Sequence, residues 1–552
     1  MEALSTPCEE AAPTLVSGGP CPGSPGWIVR EVTLEARVDF LARELWHDRI
    51  YSGSWIPVPH GSSVVEPATG AVLGRVGRAE APDVDRAVTW AAEAQRDWSA
   101  RGHDHRAEVL RRAAALFVEH AEEIAYWTAR ESGAARPMAG RAALVASAEC
   151  HEAAALAALP YGEVLRSAQP RLSLTRRRPV GVVGVISPFN APLLLAVRAL
   201  APALALGNAV VLKPDPRTAV CGGAVLARIF EAAGLPEGLL HVLPGGADVG
   251  RALVRHPRTP VIAFTGSTDA GRELARTAGE LLKRVHLELG GNSALVVLED
   301  ADVGRAAAAG AHGSFHHAGQ ICMATGRHLV HRSLAEEYVA ALAECAEDAV
   351  VGDPRRPEVT VGPLIDERQR DRVHQLVTAS VTAGGTLVTG GGYQELFYQP
   401  TVLTDLPEHA PAYAREVFGP VAPVIPFDDE EEAVRLAADS AYGLSLGVLT
   451  RDVLRGLAFA ERVPTGLVHI NDQTVNDEPA APFGGLGDSG NGARHGGHQA
   501  NLDAFTETQW VTVRAEPPHQ PRSGTGPLVV SQERRTVLDA ERPAVANVEW
   551  PA

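Results

Sequence analysis

Lysine is nearly missing from this chain of 552 residues: Lys213 and Lys283 stand alone among 50 basic residues, and the rest are arginine. A position that keeps lysine against that bias is either a chance survivor or a site needing a compact, flexible ammonium, which arginine's planar fork cannot imitate. A basic face is missing too. The formal net charge is −17, and the densest basic run, residues 176–178, precedes Pro179 in what reads as a short connecting strand. A solvated hairpin accounts for that run. Nucleic acid is therefore excluded as a partner, because a phosphate backbone is neutralised by a basic surface. Residues 1–19 carry neither a basic n-region nor an apolar h-region, so no secretory signal is expected. The longest apolar stretch, 191–212, is interrupted by Pro192, Arg198, Pro202 and Gly207-Asn208. It reads as a buried helix followed by a buried strand, with no membrane span and no membrane partner. The six cysteines (Cys8, Cys21, Cys150, Cys221, Cys322 and Cys345) have neither pairing nor metal-ligand spacing. Individual thiols in a reducing compartment, the cytoplasm, follow from this, with no metal site expected. No fixed-period repeat is present.

What the chain does contain is an ordinary globular composition, 45% apolar and 21% charged, at a length that implies two or three domains. Residues 1–30 and 516–552 are rich in Pro, Gly and Ser and read as disordered tails. From 85 to 155 the sequence is Ala-, Arg- and Glu-rich with helical periodicity, and residues 31–170 are read as a helical part. The texture then changes. GVVGVIS, AVVLK, GLLHVLPG, VIAFTG and ALVVLE are short β-branched runs, each followed by a helical stretch. Strand alternating with helix predicts a doubly wound parallel sheet. A second alternation, from Ala301 to about Ile470, predicts a second α/β domain.

Chemistry concentrates in a few places. In FTGSTDAGRELARTAGE a strand ends at Thr265, and Gly266-Ser267-Thr268 lead into a helix with Gly271 in its first turn. Free backbone N–H groups at such a start make an anion site, although a simple capped helix has the same look. In LELGGNSALVV, Glu288 sits among apolar residues before Gly290-Gly291. It is either a paired core charge or a base whose pKa burial has raised. Cys322 lies in the Gly-flanked loop of FHHAGQICMATGRHLVH, whereas Cys345 sits in an apolar periodic run; a reactive thiol is favoured at Cys322. Asn190, in ISPFNAPL, either caps the helix that Pro192 begins or presents its amide to a developing oxyanion.

With VLKP at Lys213, EVFGPV around Glu416 and Phe418, and PFGGLGDSGNG from Pro482, these motifs resemble the aldehyde dehydrogenase superfamily over roughly residues 35–515. Motif order and spacing carry the likeness, including the 34 positions from Glu288 to Cys322. Within it, LKPDPRTAVCGG, LELGGNSAL, GQICMATGRHLVH and NDQTVNDEPAAPFGG are most similar to the benzaldehyde dehydrogenases. The resemblance implies a Rossmann-like cofactor domain (179–287, with 31–170 and part of 476–515) and a catalytic α/β domain (288–475). It also implies a small β oligomerisation element, using 171–178 and the strand FTETQWVTV, and hence a homodimer or homotetramer. It further implies NAD(P)-dependent oxidation of an aldehyde, by way of a thiohemiacetal and then a thioester on Cys322. Asn190 and the Cys322 N–H would hold the oxyanion, and Glu288 would activate the deacylating water. Cofactor contacts would come from Ser187, Phe189, Lys213, Gly266, Ser267, Gly271, Leu289, Glu416 and Phe418. Phe315, Val197 and Phe483 are candidates for the substrate pocket. Aliphatic or semialdehyde substrates are the alternative, and a non-catalytic cofactor-binding member a lesser one; Glu288 argues against a CoA-acylating enzyme.

Three departures from the family pattern stand out. Phe189 replaces the Trp often found before the oxyanion Asn. Pro216 replaces the acidic residue that reads the adenosine 2′-hydroxyl, leaving NAD or NADP open, with Asp215 favouring NAD and Arg217 favouring NADP. The reading leans to NAD. Ala493-Arg494 replaces the usual Arg-Glu pair, so the glutamate associated with proton exit has no evident successor.

Overall fold

A computed structural model describes residues 40–159 and 161–517. The tail expected at 1–30 lies outside the described residues, as does all of 516–552 except its first two. Four helices, Ala81–Ala100, His103–Glu119, Ala121–Ser132 and Arg136–Leu156, occupy the Ala-rich stretch. The first shows why they form. Val84, Ala87, Val88 and Ala91 recur at helical spacing and are buried, and the Asp83 carboxylate accepts from the Glu80 backbone N–H at 2.8 Å to close the N-terminus. Gly133, at φ 75°, ends the third helix in the left-handed region.

The reading of 31–170 as helical needs correction. Strands Arg49–Ser52, Trp55–Pro57, Gly61–Val65 and Val72–Gly77 precede the helices. Each is six residues or shorter, too brief for an alternating pattern to declare itself among glycines and prolines.

Two of these strands extend the first seven-stranded sheet, whose order is Arg284–Glu288, Val261–Thr265, Val182–Ile186, Ala209–Lys213, Leu240–Val242, Arg49–Ser52, Trp55–Pro57. Its first five strands run parallel; Arg49–Ser52 is antiparallel to them, and Trp55–Pro57 is antiparallel to Arg49–Ser52. The second sheet, also seven-stranded, runs Thr386–Thr389, Thr401–Thr404, Val421–Phe427, Thr325–His331, Ser293–Val297, Ser445–Leu449, Leu467–Ile470. All its neighbours are parallel except the first pair. Strands such as Ala209–Lys213 and Ser293–Val297 are buried along their whole length, as expected for parallel sheets covered on both faces by helices. Each sheet has its own apolar core. Residues 162–176 and 510–517 belong to a separate compact unit. They contribute to a three-stranded sheet of Thr506–Val513, Leu172–Pro179 and Val164–Leu165. Among the described residues no helix is long and apolar enough to cross a membrane.

Candidate active site

In a parallel sheet, side chains just beyond the carboxyl ends of neighbouring strands converge, which is where open α/β sheets place their ligands. The first sheet delivers Ser187 to Asn190 after Ile186, Lys213 at the end of its strand, Gly266-Ser267 after Thr265, and Glu288 as a last strand residue. The second sheet contributes from its amino ends: Gly290-Gly291 before Ser293, Cys322 before Thr325, and Glu416 and Phe418 before Val421. Between them lies a cleft of about 680 Å³, lined by residues of both sets. That volume suits a cofactor-sized ligand.

Most of the expected cofactor residues meet here. Ser187, Phe189, Lys213, Gly266, Ser267, Leu289, Glu416 and Phe418 all line the cleft. Ser267 caps the helix Thr268–Glu280 by accepting from the Ala270 N–H at 3.4 Å, so the capping and anion-site readings coincide at one residue. Gly271 stands behind the wall, where a Cβ would come within 2.3 Å of Leu289. Its glycine lets the helix approach the strand end. Burial lowers the Lys213 pKa, and burial raises Glu416 to about 7 while the Gly291 N–H donates to its carboxylate at 3.0 Å. The Ser187 hydroxyl is buried without a partner on this wall, a donor awaiting a ligand. Lys283, the other lysine, is elsewhere; its ammonium donates to the His256 carbonyl and, at 3.0 Å, to the Thr259 hydroxyl.

Cys322 lies on the same wall, at the end of an unusual turn. His317, Ala318 and Gly319 are consecutive left-handed residues, with φ of 51°, 52° and 67°. Phe418 is left-handed as well, at 55°. Such conformations cost on the order of 1–3 kcal/mol at a non-glycine residue and persist where surrounding structure enforces them. Gln320 provides that enforcement. Its side chain accepts from the Ile365 N–H at 3.0 Å and donates to the Pro363 carbonyl at 3.3 Å, while its own carbonyl accepts from the Asn190 side chain at 2.9 Å. The helix Pro192–Ala205 has Ala191 as its N-cap, with no side-chain cap. Asn190 therefore does not cap it. The amide is pinned two residues from Cys322, with its second N–H left to donate.

Burial, with Glu416 and Glu288 nearby, pushes the Cys322 thiol up to about 12, and Arg198 opposes the shift. Burial likewise raises Glu288 well above the ordinary carboxyl range, against the pull of Arg198 and Arg494. Glu288 is 3% exposed, and both its carboxylate oxygens are without partners. It is not paired in the core; it faces a smaller second cavity whose wall shares Ile186, Leu195 and Thr265 with the main cleft.

The three aromatic and aliphatic candidates for the substrate wall separate. Phe483 packs with Ile321, Met323 and Leu444 against Cys322. Val197 and Phe315 do not reach the cleft: Val197 is buried in the core of the first sheet and Phe315 in that of the second. Proximity in sequence to Asn190 and Cys322 suggested them, but helical geometry turns both side chains inward.

Around the site, the sequence pointed to Arg217 and Phe189 but not to Asp366, nor to the buried Arg198 and its partners. Arg217 bonds Asp215 through Nε and Nη2 at 2.9 and 2.8 Å, bonds Asp366 through Nη1 at 2.6 Å, and lies 4.2 Å over the Phe189 ring. Phe189 in turn meets Phe418 edge-on at 5.9 Å. Arg198 is buried between Glu149, at 3.1 Å, and Asp477, with its guanidinium 5.0 Å over Phe483.

A cofactor-sized cleft at strand ends, with a buried thiol on its wall and an anchored amide beside that thiol, is an arrangement that can hold a dinucleotide next to a nucleophile. Residues 56–511 match the aldehyde dehydrogenase family, and the chain belongs to that family. It is 58% identical to a vanillin dehydrogenase of Amycolatopsis sp. over 480 residues, covering 87% of this chain and 99% of that one. It is 49% identical to a benzaldehyde dehydrogenase [NAD(+)] of Pseudomonas putida over 479 residues, 86% of this chain and 98% of the other. Among solved structures, the betaine aldehyde dehydrogenase of Staphylococcus aureus in complex with NAD+ superposes with a TM-score of 0.85 at 28% identity, covering 88% of this chain and 99% of that one.

Proposed function

We propose that this enzyme oxidises an aromatic aldehyde to its carboxylic acid with NAD, using Cys322, Asn190 and Glu288. The observation that carries the reading is the tether between the Asn190 amide and the Gln320 carbonyl, which fixes an oxyanion donor beside the thiol. The cleft residues named above would hold NAD, whose nicotinamide would supply the hydride acceptor. The Cys322 sulfur adds to the aldehyde carbon once its proton is lost. The free N–H of Asn190 and the Cys322 backbone N–H hold the oxyanion. Departure of hydride leaves a thioester on Cys322. Glu288 then takes a proton from water as that water attacks the thioester carbon, and the carbon–sulfur bond breaks to return the thiolate.

The aromatic preference is supported by the names of the two relatives above, vanillin and benzaldehyde dehydrogenase, and by the apolar group of Phe483, Ile321, Met323 and Leu444 around Cys322. NAD over NADP is supported by Arg217, whose charge is spent on Asp215 and Asp366. We further propose that the three-stranded sheet pairs subunits into a homodimer or homotetramer, and that the enzyme works in the cytoplasm, where the four unpaired cysteines among the described residues would stay reduced.

A substrate panel run with both NAD and NADP tests this reading. Burial of a ring should favour benzaldehyde over acetaldehyde by about two orders of magnitude in kcat/KM, mostly through KM. Equal or better turnover of short aliphatic aldehydes would refute the substrate assignment.

A further inference from the structure

Each turnover leaves on Glu288 the proton taken from water, and the carboxyl must shed it before it can act again. Glu288 lines the second, smaller cavity, whose wall also carries groups that can take part in proton transfer. That cavity has a volume of about 10 Å³, the scale of a single water molecule. Glu288, Arg198 and His495 all line it. Both Glu288 oxygens, Arg198 Nη1 and His495 Nδ1 are buried without hydrogen-bond partners. Buried polar atoms are rarely left unsatisfied, and a water with two to four polar neighbours is the usual remedy.

The three groups differ in what they can do with a proton. Arg198 is held by Glu149 and Asp477 and only donates, so it can orient a water but cannot take a proton from it. His495 can accept at one nitrogen and give from the other. Burial, together with His286 and Arg198, lowers its pKa well below the ordinary histidine value, so it rests neutral with one acceptor and one donor. The groups packed around it are Arg198, Glu288, His286 at 5.3 Å between ring centroids, and Phe505 at 5.8 Å.

We propose that one ordered water occupies this cavity and that Glu288 passes its proton through it to His495, which relays it onward. This rests on Glu288 being the deacylating base. The Glu288 carboxyl gives a proton to the water oxygen, the water gives one of its own to His495 Nδ1, and His495 releases its proton from Nε2, which is not among the buried unpartnered atoms, to a solvent water. No electrons move; Glu288 returns to carboxylate and the imidazole to its neutral form.

The test compares His495→Phe and His495→Gln with Glu288→Gln and the unaltered enzyme, by stopped-flow NADH formation from benzaldehyde and NAD and by mass spectrometry of the quenched protein. Phenylalanine keeps a ring against Phe505 and His286; glutamine keeps a hydrogen bond to the water but cannot relay a proton. Both His495 variants should give the full first-turnover burst, then a steady rate lowered about tenfold or more, with acyl-enzyme accumulating. The proposal is overturned if either variant keeps the unaltered steady rate, if glutamine restores what phenylalanine loses, or if burst and steady rate fall together. Glu288→Gln separates the two assignments: if it stalls as an acyl-enzyme and the His495 variants do not, only the relay fails. If it deacylates normally, the base assignment fails first.

Discussion

A guanidinium bonded at each of its nitrogens to a carboxylate has little attraction left for a phosphate. Arg217 is in that state, with Asp215 on one side and Asp366, 149 positions along the chain, on the other. Activity with NAD should therefore exceed activity with NADP. Asp366→Asn, which frees one arm of Arg217, should narrow the ratio of kcat/KM values about tenfold, roughly the worth of one charge-assisted hydrogen bond. An unchanged ratio would show that Arg217 has no part in the choice. A second prediction concerns pH. The Cys322 thiol, pushed up to about 12, and the Glu288 carboxyl, also raised, both react in their deprotonated forms. Raising the pH populates both forms, so the steady-state rate at saturating benzaldehyde should climb from about pH 6 to about pH 9. A flat or falling profile would contradict these shifts. Cys322, Glu288 and Asn190 could be picked out as candidates in the sequence because each sits in a short motif with its own chemistry. Arg198 was not. Read along the chain it only interrupts an apolar stretch, and its partners Glu149 and Asp477 lie 49 and 279 positions away.

At the scale of elements, the alternation of strand and helix was plain wherever strands were buried on both faces, because β-branched runs bounded by glycine leave few alternatives. The turn that presents Cys322 was hidden for the opposite reason. His317 and Ala318 have no preference for the left-handed region; tertiary contacts impose it. Two substitutions test this account. In Gly319→Ala the new Cβ would come within 2.0 Å of the Gly419 carbonyl oxygen. It should cost about 2–4 kcal/mol in denaturant unfolding and displace the thiol enough to remove most activity. Ala318→Gly relieves strain without adding an atom and should raise stability by about 0.5–1 kcal/mol. Stability lost in Ala318→Gly would mean that the turn is not strained.

For the molecule as a whole, the expected architecture of two parallel-sheet bodies with a small β element is the one observed, while the hairpins of residues 49–77 were too short to announce themselves. The small unit leaves Val164 78%, Leu172 48% and Trp510 60% exposed, the apolar set that the proposed subunit contact would cover. Val164→Lys combined with Leu172→Glu should yield a smaller species by sedimentation velocity than the unaltered enzyme. The same sedimentation coefficient for both would remove this sheet from the contact.

The proposed division of labour between Cys322 and Glu288 is open to one direct measurement. Glu288→Gln cannot accept a proton, so the first half-reaction should survive and the second should stall. Mixed with NAD and benzaldehyde in stopped flow, this variant should release about one NADH per active site. Its steady rate should then be lowered on the order of 10²-fold or more, with a benzoyl adduct on the peptide bearing Cys322. No burst at any pH and no adduct on Cys322 would contradict the account at its centre.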